Sequence, residues 1–203
     1  MKLQDRLPDS ITVKGKRIPL DLDFRNVLRM METLDDKTLM PDAREYLALK
    51  CLTKHPPRDT AAAMLAVKLL LFAPSKKGEE QQQRNKITDF VQDAGMIRTA
   101  FRQVYGIDLF RDKLHWLEFT ELLHNLPEGN RYTETIGIRA RPIPTPTKYN
   151  QKEREWLIEA KAAVALELSE EEQKNQYEAS VGRLFVGLMG MIKDGEDNAK
   201  RSG

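Results

Sequence analysis

Apolar and polar residues alternate at the start of the chain and then recur every three or four positions along most of the rest. Ile11, Thr12 and Val13 are followed by Lys14-Gly15-Lys16 and then by Arg17, Ile18, Pro19 and Leu20. This pattern predicts a small β-hairpin whose glycine supplies the positive φ of the turn. Asp23 precedes Phe24, Val27, Leu28, Met31 and Leu34, an amphipathic helix whose free N-terminal amides Asp23 is placed to cap. A second helix is expected after Pro41-Asp42, through Tyr46, Leu47, Leu49, Cys51 and Leu52, stopped by His55-Pro56-Pro57. Arg58 to Ala73 is apolar on most faces, so the pattern makes it the central core helix.

Residues 74–86 hold Lys, Gly, Glu and Gln with nothing apolar after Pro74, which reads as a solvated linker or mobile loop. Helical period resumes at Ile87 and runs through Phe90, Val91, Ala94, Ile97, Phe101 and Val104 to Tyr105-Gly106, where the glycine suits the left-handed terminus. Asp108 or Asp112 is expected to cap the next helix, which carries Leu114, Trp116, Leu117, Phe119, Leu122, Leu123 and Leu126 up to Pro127. These two helices should form a tight hairpin with Phe101, Trp116 and Phe119 in its core. Residues 130–150, with Pro142, Pro144, Pro146 and the cations Arg131, Arg139, Arg141 and Lys148, read as an extended basic arm. Lys152 to Leu168 is the next expected helix, with Trp156, Leu157, Ala160, Val164 and Leu168 on one side. Ser169 followed by Glu170, Glu171 and Glu172 caps a last helix through Tyr177, Val181, Phe185 and Leu188 to Ile192, before a polar tail expected to be disordered. The fold class that results is mainly α, a helical bundle of about six or seven helices with a short N-terminal β-hairpin. By domain, 1–168 is the helical body, 169–192 a C-terminal helical extension and 193–203 the tail.

Composition narrows the function classes. The 203 residues carry 33 Lys+Arg against 31 Asp+Glu, a net charge of +2, too nearly neutral for a non-specific nucleic-acid coat. A single cysteine, Cys51, leaves no intramolecular disulfide and no thiolate cage, which fits a reducing compartment. The longest apolar runs fall short of the roughly 20 residues a membrane span needs, and the N-terminus lacks the apolar stretch of a secretory signal. A cytoplasmic protein without membrane contact is expected.

The chain also shows little catalytic chemistry. Gly15-Lys16 sits in the hairpin rather than between a strand and a helix, so no phosphate-binding loop is encoded. His115 and His124 lack the one-turn spacing that places two imidazoles on a metal, and His115 beside Trp116 reads as a hydrogen-bonded, half-buried histidine. No cofactor, no metal and no enzymatic activity are expected. The run Gly182 to Met191 is unusual, because each glycine weakens an isolated helix by about 1 kcal/mol. Adaptable Met side chains there suit docking on another chain, and packing on the protein's own core is an equal alternative. On the docking reading Phe185, Leu188, Met189, Met191 and Ile192 are the expected partner contacts. Arg139 and Arg141 of the basic arm either touch phosphates or an acidic partner or belong to a solvated connecting arm, the stronger reading.

The middle of the chain holds a more specific pattern: Asp89-Phe90, Asp93, Ile97, Ala100-Phe101, Tyr105-Gly106-Ile107-Asp108-Leu109, His115-Trp116, Phe119, Leu122-Leu123, Leu126-Pro127, Ile136-Gly137 and Arg139. Together with Leu7-Pro8-Asp9-Ser10 and Asp23-Phe24-Arg25, it resembles the bacteriophage Gp15 family over about residues 7 to 168. That family is encoded in the tail-gene clusters of long-tailed phages and prophages and is regarded as a tail assembly chaperone. The resemblance implies a non-enzymatic protein of the host bacterial cytoplasm, absent from the finished virion. Its implied partners are the tape-measure protein, kept soluble by helix-in-groove binding until the tail tube polymerises, and the tail tube protein; self-association is a further role open to the segment from Ser169 to Ile192. Near-zero net charge makes that binding apolar and only weakly dependent on salt. A structural tail or connector component retained in the virion is the alternative, and a nucleic-acid-binding or hydrolytic phage protein a more distant one. Ser169 to Gly203 lies beyond the resemblance.

Overall fold

The computed structural model describes residues 4–72 and 87–167. Two compact units divide the chain after Arg141. In the first, β1 (Ser10–Val13) and β2 (Lys16–Pro19) pair antiparallel, with Ile11 opposite Ile18. Lys14 at φ 48° and Gly15 at φ 76° are both left-handed, the geometry that matches a two-residue turn to the twist of its strands. The helices of this unit are α1 (Phe24–Asp35), α2 (Pro41–Leu52), α3 (Thr60–Phe72), α4 (Ala94–Tyr105), α5 (Trp116–His124) and α6 (Arg131–Ala140). The second unit contributes α7 (Gln151–Ala163). The mainly α fold with its N-terminal hairpin therefore agrees with the reading of the sequence.

Helix α1 packs on α2, and α3 packs on both α2 and β1. Phe24, Val27 and Met30 of α1 meet Ala48, Leu49 and Leu52 of α2 and Ala63, Met64 and Val67 of α3 in one core, together with Ile11 and Val13 of the hairpin. Burying each large aliphatic side chain contributes about 1.5–3 kcal/mol. Asp23 caps α1 as expected, its Oδ1 accepting from the Arg25 amide at 3.0 Å. Gly106 takes φ 71° at the end of α4, and the Ile107 amide reaches back to the Phe101 carbonyl at 3.3 Å, so the glycine closes that helix.

Several expectations are corrected. Helix α3 is buried along one face only, with Leu65 at 60% and Leu69 at 58% exposure. Its apolar composition exceeds what the core accepts. The helix expected from Ile87 begins at Ala94, because Asp89 closes a turn first, its Oδ1 accepting from Val91 and Gln92 amides at 2.8 and 2.9 Å. The cap of α5 is neither Asp108 nor Asp112 but His115, whose Nδ1 accepts from the Leu117 amide at 3.1 Å. Residues 106–115 separate α4 from α5, so these helices meet through side chains rather than as a tight hairpin. The segment 130–150 is not extended throughout: α6 occupies Arg131–Ala140, capped by Asn130, whose Oδ1 accepts from Thr133 at 3.1 Å. Only the proline run after it remains non-helical. In α7, which ends at Ala163 rather than Leu168, Leu157 is buried while Trp156 is half-exposed.

Candidate functional site

The helix starts of α1 and α5 are stitched together. The Phe24 amide donates to the Leu114 carbonyl at 2.9 Å and the Trp116 amide to the Leu22 carbonyl at 2.8 Å. His115 lies between them. Because its Nδ1 accepts the Leu117 amide, its other nitrogen carries the hydrogen and donates to the Pro8 carbonyl at 2.9 Å. His115 is thus the half-buried, hydrogen-bonded histidine the sequence suggested, and it ties the segment before the hairpin to the start of α5.

This stitching brings aromatic rings from separate parts of the chain into one stack. Phe119 lies 4.7 Å from Phe24 and 5.2 Å from Phe101, both nearly parallel, and 5.8 Å from Trp116. Phe90 closes the other side, edge-on to Trp116 at 6.0 Å. Phe101, Trp116 and Phe119 are at most 3% exposed, so they are core as the periodicity of the sequence indicates.

Three rings of the stack, Phe24, Phe90 and Phe119, also line a cleft. A cavity of about 270 Å³ opens between α1, α4, α5 and the segment joining α4 to α5. Phe24, Leu28, Phe90, Ile97, Leu109 and Phe119 line its apolar interior, and exposed Phe110 stands at its lip. This is below the roughly 300–1,000 Å³ of small-molecule sites and suits one or two bulky side chains. Arg25 and Arg98 are its charged lining residues. Arg25 is fixed: it donates to the Asp112 carbonyl, lies 3.2 Å from Asp23 and stacks 5.0 Å from the Phe24 ring. Arg98 lies over the Phe110 ring at 4.7 Å and has no hydrogen-bond or ion-pair partner among the described residues.

Phe110 is 71% exposed, yet its loop is tightly bonded. Asp108 Oδ1 accepts from the Phe110 amide at 3.0 Å, and Asp112 Oδ2 accepts from the Asp108 amide at 2.7 Å. Arg102 pairs with Asp108, and Arg111 Nε lies 3.8 Å from it. The Phe110 amide, with these two guanidinium groups nearby, holds the Asp108 carboxyl below its ordinary value. An aromatic side chain kept in solvent by a bonded loop is pre-organised for contact, since little conformational freedom is left to lose on binding.

Of the expected partner contacts, Phe185, Leu188, Met189, Met191 and Ile192 lie outside the described residues. Arg139 is not on an open arm. It sits on α6 and donates to Asp93 Oδ2 at 2.8 Å and to the Ile87 carbonyl at 3.1 Å, with Asp93 1% and Arg139 11% exposed as side chains. It serves as a buried strut between α6 and the start of α4. Arg141 is exposed at the end of α6. Phe110 went unremarked in the sequence because it belongs to no helical period; its only signal is an aromatic residue set between Asp108 and Asp112. Among the described residues, no group of three His, Cys, Asp or Glu could hold a metal ion, and no helix is long and apolar enough to cross a membrane.

No curated protein matches the chain, and no solved structure matches it. A family model does match, that of the Bacteriophage Gp15 protein, over residues 3–166. The matched span contains the hairpin, the His115 stitch, the aromatic stack, the Phe110 loop and the Asp93–Arg139 strut, and it stops before the C-terminal extension. The chain therefore belongs to the Bacteriophage Gp15 protein family and is a phage structural or assembly protein.

Proposed function

We propose that the protein is a non-enzymatic tail assembly chaperone that binds the tape-measure protein in the host cytoplasm and keeps it soluble until the tail tube encloses it. The observation that carries this reading is the apolar cleft with its pre-organised Phe110 lip, on a chain of a phage family. A long helical protein with uncovered apolar stripes aggregates unless another surface covers them, and a cleft sized for bulky side chains supplies such cover by helix-in-groove contact. Little net charge favours apolar binding over electrostatic capture.

Co-expression tests this. The tape-measure protein should move from pellet to supernatant and co-elute with this protein in gel filtration, and the protein should be missing from purified virions by mass spectrometry. Unchanged solubility with no co-elution at micromolar concentration, or stoichiometric presence in virions, would reject the chaperone in favour of a structural tail or connector component.

A further inference from the structure

We propose that the cleft admits one bulky apolar side chain of an acidic amphipathic helix, and that Arg98 pairs with a carboxylate one helical turn away from that side chain. The walls are apolar, yet both charged lining residues are arginines, and no carboxylate lines the cavity. The acids next in sequence to lining residues Phe24 and Leu109 are already engaged, Asp23 with Arg25 and Asp108 with Arg102. Of the two lining arginines, Arg25 is offset by Asp23, whereas the charge of Arg98 is met by no carboxylate among the described residues. Arg98 lies over the Phe110 ring and has no hydrogen-bond or ion-pair partner among the described residues, which leaves donors along its edge for a ligand. A planar guanidinium with a fork of donors matches a carboxylate in bidentate fashion.

The occupant is a helix because of what surrounds the cleft. Its lining comes from α1, α4, α5 and the residues just before and after α4, with neither strand of the hairpin taking part, so no strand edge is offered for main-chain pairing. Side-chain insertion from an amphipathic helix is the mode that remains, with the anchor and the carboxylate three or four residues apart on one face. The apolar anchor supplies most of the affinity, while the charge at the rim chiefly selects the partner. Salt therefore weakens binding only a fewfold, in keeping with apolar association. This inference rests on the chaperone reading for the source of the helix, an acidic segment of the tape-measure protein.

The test uses two synthetic helical peptides with the same Leu/Phe stripe, one flanked by Glu and the other by Lys, titrated against the full chain by calorimetry. The Glu peptide should bind about tenfold more tightly than the Lys peptide. Phe110→Ala should weaken the Glu peptide about thirtyfold, as loss of a hot-spot aromatic does. Arg98→Glu should reverse the preference between the peptides, which a merely structural role of Arg98 would not do. Equal affinities, failure of both peptides to bind, or an unchanged preference in Arg98→Glu would overturn the inference. The tape-measure protein itself separates this inference from the chaperone reading. Should it co-elute equally well with the parent and with Phe110→Ala and Arg98→Glu, the chaperone stands and the cleft inference falls. If it fails to co-elute with the parent while the peptides behave as expected, the cleft inference stands and the chaperone falls.

Discussion

Phe119 and Phe110 line the same cleft and are held by opposite means. Phe119 is 2% exposed and touches Phe24, Phe101, Phe90 and Trp116, so packing alone fixes it. Phe110 is 71% exposed and is held from behind, by carboxylates that bind the backbone of its loop. Burial stabilises the first at about 25 cal/mol per Å² of apolar surface removed from water. For the second, the same surface stays wet, and in the proposed function it is the partner that covers it. The contrast separates a residue that builds the floor from one that is presented, and it implies that stability and binding can be lost independently.

The largest expected effect is at the floor. Phe119→Ala should cost about 3 to 5 kcal/mol and lower the melting temperature by about 10 °C, taking the cleft with it. A melting temperature within a degree or two of the parent would show that the stack does not hold the fold. Asp93→Ala comes next: it leaves Arg139 buried without its carboxylate, which should cost about 3 kcal/mol in urea denaturation. The isosteric apolar pair Asp93→Leu with Arg139→Met should recover much of that loss; no recovery would mean that the strut also positions something else. His115→Ala removes the α5 cap and the bond to Pro8 and should cost about 1 kcal/mol, with faster hydrogen exchange at the Leu117 amide as its local sign.

The loop behind Phe110 should respond to pH. Because Asp108 is held below its ordinary value of 3.8, its bonds to the loop are fully present above that pH and are lost as pH falls through the lowered value. The Phe110 amide resonance should therefore titrate with a midpoint below 3.8, and Asp108→Asn should abolish the titration. A midpoint above 3.8 would mean that the carboxylate does not hold the loop.

Much of the first unit was legible in the sequence because its helices obey one period and carry recognisable ends: Asp23 before α1, Pro41 opening α2, Gly106 closing α4. The errors have a common origin. Periodicity does not tell a side chain that caps a helix from one that holds a local turn or a long-range pair. Asp89 and Asp108 hold turns, His115 caps where an aspartate was expected, and Arg139 reaches Asp93 across 46 positions of sequence. Helix α6 was hidden by the prolines that follow it, although Tyr132, Thr135 and Ile136 recur at helical spacing and Asn130 precedes them. The floor of the cleft was visible as core periodicity; its lip was not, since an exposed ring in a turn leaves no periodic trace.

Phe110→Ala brings these strands to one measurement, melting temperature and co-elution with the tape-measure protein recorded on the same sample. Removing an exposed side chain should change stability by less than about 0.5 kcal/mol, leaving the melting temperature within about 2 °C of the parent, while the complex in gel filtration is lost. A variant that keeps the complex at the parent's level, or that loses it only because the fold has melted, would contradict the account of Phe110 as a presented, partner-binding residue.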